Sequence, residues 1–228
     1  MPPTVLITRP KDDAQRLSQE LERRVPDLHI LIAPVMQICA TPFDLPDMSF
    51  DYLLLTSRHA VPAADACLGL PVYCVGEATR AAAQARGHRV CAAYPDAEAL
   101  VADLAQHKGK RALHLHGRHT RGNVSDRLTS AGLEAKSCVV YEQVPRRWSE
   151  AERQDIHVQS HLLLPLYSPR SARLAAENLQ GFAGDVSLIG LSQACLDGWS
   201  GITPVSGICL ERPDGQAMVR AIASHLAR

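Results

Sequence analysis

Aromatic residues are scarce in this chain. Phe, Trp and Tyr make up 4% of its 228 residues, while 46% are hydrophobic, so the core must be mainly Ala, Val, Leu and Ile. Net charge is lacking as well: 24 Lys and Arg stand against 24 Asp and Glu. Such a balance gives no global field to draw in nucleic acid or a membrane surface, so any anion site must be local. No apolar run reaches the ~18 residues of a membrane span. The opening MPPTVLITRP has no basic region leading into a long apolar stretch, so no signal peptide is read. A soluble, cytoplasmic protein is expected. The seven cysteines, Cys39, Cys67, Cys74, Cys91, Cys138, Cys195 and Cys209, are odd in number and include no C-x-x-C pair. They read as reduced core thiols. Also missing are G-x-G-x-x-G and G-x-x-x-x-G-K-[ST], the usual cradles for dinucleotide and ATP phosphates. No G-x-S-x-G elbow is present either.

The length suits one large domain or two small ones, and is enough to fold without metal or disulfide. Short apolar runs alternate with helical patterns along the chain. Strands are expected at Val5–Thr8, His29–Val35, Tyr52–Leu55, Val72–Val75, His88–Ala92, Arg111–Leu115, Ala135–Val144, His161–Leu166 and Val186–Ile189. Helices are expected at Lys11–Arg24, about Arg58–Cys67, after Gly76 to near Gly87, Asp96–His107, Val124–Ala131, after Pro169 and at Gly215–Leu226. This alternation predicts an α/β fold with parallel sheets covered on both faces. The pattern also occurs twice. DYLLLTSRHAV from Asp51 aligns with HLLLPLYSPRSA from His161, setting Ser57 against Ser168. VYCVGEATRAA aligns with VSLIGLSQACL, setting Gly76 against Gly190, and Pro95-Asp96 aligns with Pro213-Asp214. A weaker match sets Leu17 against Leu128. A repeat this long means two similar domains rather than a solenoid.

Several strands end in small or polar residues where a helix begins at once: Thr8-Arg9, Thr56-Ser57-Arg58, Gly76–Thr79, Gly117-Arg118, Ser168-Pro169-Arg170 and Gly190-Leu191-Ser192. Ligands bind at the carboxyl ends of parallel strands, and helix N-termini favour anions. Each Ser or Thr alone is an ordinary cap. Six such ends in two aligned units suit one large ligand with carboxylates around its edge. His114, His116 and His119 cluster, but further ligands at metal spacing are missing, so no metal site is expected. His157 and His161 flank an irregular segment and read as surface residues. Asp12-Asp13 reads as helix N-terminal charge, and Trp148 and Trp199 as packing residues. Tyr141 in VVYEQVP sits where the chain leaves the middle of the sequence. It either packs its ring or faces a cleft, where a phenol could hydrogen-bond a leaving oxygen.

In LITRP, DYLLLTSRHAV, VYCVGEATRAAAQARG, ALHLHG, VVYEQVP, LYSPRSA and LIGLSQA, taken in order, the chain resembles the uroporphyrinogen-III synthase family. The resemblance implies two α/β domains, residues 1–36 with 146–228 and residues 42–137, joined by linker strands at 32–41 and 138–145 with the active-site cleft between them. It implies closure of hydroxymethylbilane, a linear tetrapyrrole, to uroporphyrinogen III with inversion of the last ring. The substrate's pyrroles supply the electrons, so no cofactor is called for. Carried over by motif, Tyr141 becomes the catalytic candidate, and Arg9, Ser57, Gly76, Thr79, Ser168 and Ser192 the substrate-binding ones. Gly190 joins them as the aligned partner of Gly76, and Arg58 and Arg170 by charge and place. Leu191-Ser192-Gln193 stands where many relatives have a Thr-rich turn. A monomer is expected, with transient handover of substrate from the preceding pathway enzyme. The other readings are a non-catalytic binding protein for a polycarboxylate, and an NAD-dependent enzyme, against which the missing glycine fingerprint counts.

Overall fold

Strand runs that are apolar at nearly every position have no solvent face, and the core of this protein shows where each side goes. In the computed structural model, which describes residues 3–120, 122–212 and 214–227, strand and helix alternate along the chain except where β2, β3 and β4 follow one another. Pro213, one member of the aligned Pro-Asp pairs, lies outside the described residues. The elements run β1 (Thr4–Ile7), α1 (Lys11–Glu22), β2 (Ile30–Ile32), β3 (Met36–Ala40), β4 (Tyr52–Leu55), α2 (Val61–Ala64), β5 (Val72–Val75), α3 (Glu77–Ala85), β6 (Val90–Tyr94), α4 (Ala97–Leu104) and β7 (Arg111–Gly117). They continue α5 (Val124–Ser130), β8 (Glu134–Pro145), α6 (Glu150–His157), β9 (His161–Leu166), α7 (Pro169–Asn178), β10 (Asp185–Gly190), α8 (Gln193–Asp197), β11 (Ser206–Cys209) and α9 (Gly215–Leu226).

The chain divides into two compact units. The first takes residues up to Gln37 and from Val144 onward, and the second takes Ile38–Gln143. The first unit holds a sheet of order β11-β10-β9-β1-β2, in which every pair is parallel. Here Val5, Ile7 and Leu163 pack with α1 and α9, while Leu6, Leu162 and Leu164 pack on the other face with α6 and α7. The second sheet has the order β3-β8-β7-β4-β5-β6, parallel from β8 to β6. Leu53 and Leu55 face one core, and Leu54 faces the other with Leu100, Leu104 and Leu128. Alternating side chains thus fill both faces, as a parallel sheet requires.

Setting β11-β10-β9-β1-β2 beside β6-β5-β4-β7-β8 makes the duplication spatial. Equivalent strands take equivalent places, although the first unit draws its last two from the start of the chain. The aligned caps match too. Ser57 accepts from the His59 N–H and Ser168 from that of Ser171, while Asp96 and Asp214 accept from Ala99 and Ala217.

Several expectations need correction. The helix expected over Arg58–Cys67 is broken into a 3-10 turn (Arg58–Ala60), the single turn α2 and a second 3-10 turn (Asp65–Cys67). Pro62 has no N–H to continue the ladder. Residues 158–160 are irregular as expected, but no element was expected over 150–157, where α6 forms, closed at its start by a capping box of Ser149 and Glu152. His157 ends that helix, and its ring meets the Phe182 ring edge-on at 5.9 Å. His161 opens β9 with Nε2 2.8 Å from Ser187 Oγ. Neither is a loose surface residue. Cys91 and Cys209 are exposed rather than core thiols, because β6 and β11 are edge strands. Trp148 is buried, its indole N–H donating to the Ala33 carbonyl at 2.9 Å.

Candidate functional site

In the second unit the carboxyl ends of β4, β5 and β7 stop side by side, because these strands are parallel and in register. Beside them lies a recess of about 260 Å³, lined by Thr56, Ser57, Val75, Ala97, Gly117, His119, Thr120 and Tyr141. Its polar lining is hydroxyl and imidazole, with no carboxylate among these residues. Such walls accept an anionic or hydroxylated group without like-charge repulsion.

Tyr141 comes from β8. The pairing of β7 with β8 keeps one register from Arg111↔Glu134 to His116↔Val139, then slips by one residue so that Gly117 faces Tyr141. A bulge of this kind re-aims a side chain. Tyr141 is 6% exposed, and burial pushes its phenol above the usual tyrosine range, partly offset by a hydrogen bond from Ser57. Its ring meets the His59 ring edge-on at 5.7 Å. A phenol held protonated in this way is a hydrogen-bond donor and not a base.

Behind the recess His114 is 2% exposed. Its Nε2 lies 3.0 Å from the Thr56 hydroxyl and its Nδ1 3.4 Å from that of Ser125. Burial, with a smaller push from His116 4.8 Å away, holds its pKa down at about 3. The imidazole is therefore neutral and fixes the Thr56 hydroxyl as a positioned dipole. Among the described residues no group of three or more His, Cys, Asp or Glu is placed to hold a metal.

The other sequence candidates in this unit are distributed around the recess. Ser57 lines it and caps the following turn. Arg58 is half-buried in that turn and is not part of the lining. Gly76 has φ +82°, a backbone conformation that favours glycine, where β5 passes into α3. Thr79 is only 4% exposed in the first turn of α3, which leaves its side chain little surface for a ligand.

In the first unit β1, β9 and β10 also end together. Arg9 lies with its guanidinium 4.0 Å above the Tyr167 ring and 3.6 Å from the Asp13 carboxylate, which fixes its direction. Ser168 caps α7, and its Oγ is 2.9 Å from that of Ser171. Arg170 is half-buried in the first turn of α7. A Cβ on Gly190 would meet Leu196 Cγ at 2.7 Å and the Ser192 carbonyl at 3.0 Å, so this glycine answers a packing need. Ser192 stands at the start of α8 with Oγ 3.4 Å from Cys195 Sγ.

The structure brings the candidates Ser57 and Tyr141 to one place; Thr56 and Gly117 stood in the sequence only among the strand ends suited to a ligand, and His119 and Thr120 were not read as part of this site. Thr56 precedes Ser57, and Gly117 and His119 follow the ALHLHG strand, so each sits at a strand end. What the sequence does not reveal is which strand ends are neighbours.

With that geometry in hand, the family model for uroporphyrinogen-III synthase HemD matches residues 9–196. Among solved structures the chain is similar to uroporphyrinogen-III synthetase from Helicobacter pylori, with 16% identity, coverage of 97% of this chain and 99% of that one, and a TM-score of 0.65. It is also similar to a mutant uroporphyrinogen III synthase from the extremely thermophilic bacterium Thermus thermophilus, with 14% identity, 99% of each chain covered and a TM-score of 0.52. At such identities these likenesses speak to the fold. No curated protein sequence matches the chain significantly.

Proposed function

The chain belongs to the uroporphyrinogen-III synthase family, and we propose that Tyr141 is the residue that meets the departing hydroxyl of its substrate, hydroxymethylbilane. The family's reaction closes this linear tetrapyrrole to uroporphyrinogen III. The pyrrole nitrogen of the first ring, which bears the hydroxymethyl group, pushes out the hydroxyl, leaving an electrophilic methylene on that ring. The substituted carbon of the last ring attacks it to form a spiro centre, which fragments and recloses with that ring inverted. A proton lost from the ring carbon balances the hydroxide that left, so the net change is loss of water, the chemistry of a hydro-lyase.

One observation carries the role of Tyr141: a buried, protonated phenol lines a recess with no carboxylate among its other walls. A donor already aimed at the leaving oxygen stabilises charge as it develops. The remaining work is binding. Ser57, Arg58, Gly76 and Thr79 in one unit, and Arg9, Ser168, Arg170, Gly190 and Ser192 in the other, are the proposed partners of the carboxylates. Arg9 and Gly190 also have structural duties, and Thr79 is the least accessible of the set.

The proposed domains are residues 1–36 with 146–228, and 42–137, linked by strands at 32–41 and 138–145. Two backbone bonds support an antiparallel link: Arg146 N–H to Val35 and Thr41 N–H to Val140. One partner falls from 146 to 140 as the other rises from 35 to 41. We further propose a monomer working in the cytoplasm. Because hydroxymethylbilane closes unaided to the type I isomer, transient handover from the enzyme that makes it would limit that loss. No helix among the described residues is long and apolar enough to cross a membrane.

The deciding experiment supplies the purified protein with enzymatically made hydroxymethylbilane and separates the product isomers. Type III is expected; type I alone would refute the assignment, and binding without turnover would favour a polycarboxylate-binding protein. Tyr141→Phe should slow type III formation by about 10²-fold or more while the fold survives. An unchanged rate removes Tyr141 from the chemistry.

A further inference from the structure

Gly117 and Tyr141 are 24 positions apart in sequence but face each other across β7 and β8. A Cβ on Gly117 would lie 2.5 Å from Tyr141 Cζ, 2.6 Å from Cε2 and 2.8 Å from the phenol oxygen. Real Cβ atoms do not come this close, so the ring occupies space that only glycine leaves open. The Gly117 backbone is not in the left-handed region, so flexibility is not what the position requires.

The backbone beneath the ring is held from both sides. The Val140 carbonyl accepts from the Thr41 N–H at 3.0 Å, and the Tyr141 carbonyl from the Arg118 N–H at 2.9 Å. Arg118 also pairs with Glu142 at 2.9 Å. Val140 is the extra residue of the bulge, and both Val140 and Tyr141 turn into the same core cluster. Strict alternation would have sent the two to opposite faces. The bulge therefore aims the ring at β7, and the missing side chain at Gly117 gives it a seat beside Ser57.

We infer that Gly117 is a positioning residue for the reaction: by lacking a side chain, it sets where the Tyr141 phenol stands in the recess. The inference rests on the catalytic reading of Tyr141. An added methyl at 117 meets the far end of a side chain whose backbone is fixed, so the ring moves and the strands stay. Displacing a reacting group by about 1 Å can cost on the order of 10²-fold in rate.

The test compares Gly117→Ala, Tyr141→Phe and the double variant in the full chain. Gly117→Ala should lower kcat by about tenfold or more with KM little changed. The double variant should be no slower than Tyr141→Phe alone, since a displaced ring without a hydroxyl has nothing further to lose. An unchanged kcat in Gly117→Ala, or losses that multiply in the double variant, overturns the inference. If Tyr141→Phe itself runs at the wild-type rate, the catalytic reading fails, and ultraviolet titration of the phenol decides the seat alone. Ionisation at lower pH in Gly117→Ala than in the wild type supports displacement toward solvent, and an unchanged titration overturns it. If Gly117→Ala does not fold, Gly117→Ala with Tyr141→Ala should, because the ring that the methyl meets is gone. A double variant equally unfolded overturns the inference.

Discussion

Replacing Asn178 with Ala should loosen the first unit while leaving the second as it is. Asn178 is 2% exposed at the end of α7. Its Oδ1 accepts from the Trp148 N–H at 3.0 Å, and its Nδ2 donates to the Leu174 and Arg146 carbonyls at 2.8 and 3.3 Å. Trp148 is in turn bonded to Ala33, and Arg146 to Pro34 and Glu152. One amide thus ties the returning chain at 146–148 to α7, and that segment is tied to residues 33–34. The truncation leaves the buried Trp148 N–H without its acceptor, which costs about 1–3 kcal/mol, and it forfeits two donations worth about 0.5–1.5 kcal/mol each. The better helix propensity of Ala returns about 0.6 kcal/mol. The net loss is about 1.4–5.4 kcal/mol, centred near about 3.4 kcal/mol. With a urea slope of about 2 kcal/mol/M, that central value lowers the midpoint by about 1.7 M. Both tryptophans, Trp148 and Trp199, belong to the first unit, so their fluorescence reads it alone. A tryptophan midpoint that stays within about 0.3 M of wild type would refute this account of the clip.

Three other outcomes follow from the same structure. His114 titrates at about 3 when folded against about 6.5 unfolded, so the unfolded chain binds more protons between those values. Its stabilising contribution is present above pH 6.5 and is lost as pH falls toward 3, at up to about 1.4 kcal/mol per pH unit. The stability difference between wild type and His114→Gln, measured by urea unfolding, should therefore shrink from pH 7 to pH 5, and a constant difference would count against the buried neutral imidazole. An aromatic disulfide reagent should label the exposed Cys91 and Cys209 first and the buried Cys74 last, whose thiol is pushed up to about 11. Cys91→Ser with Cys209→Ser should remove the fast phase. Gly190→Ala should cost about 1–3 kcal/mol by forcing Leu196 aside. A loss of activity without that loss of stability would instead point to contact with substrate.

Nine strands were legible because burial on two faces leaves long apolar runs, while the half-exposed edge strand β11 was not read and β3 was implied only as linker; Ser57 and Ser168 were legible as caps because a cap is a local arrangement. The ordered motifs named the family and marked Tyr141. Other features had no local signature. Helix α6 is short and polar on most sides, with Ile156 as its one buried residue, so its periodicity was too weak to see. The exposure of Cys91 and Cys209 depends on β6 and β11 lying at sheet edges, which strand order alone decides.

By itself, then, the sequence determined a duplicated parallel α/β chain, its family and the residues at its strand ends, because periodicity, caps and turn residues act over a few positions. The tertiary structure alone decided the order in which the strands lie in each sheet, that Pro62 breaks a helix into turns, and that Gly117 meets Tyr141. Those outcomes depend on register and strand order. A one-residue slip at Val140 re-aims a side chain without leaving any mark on local composition.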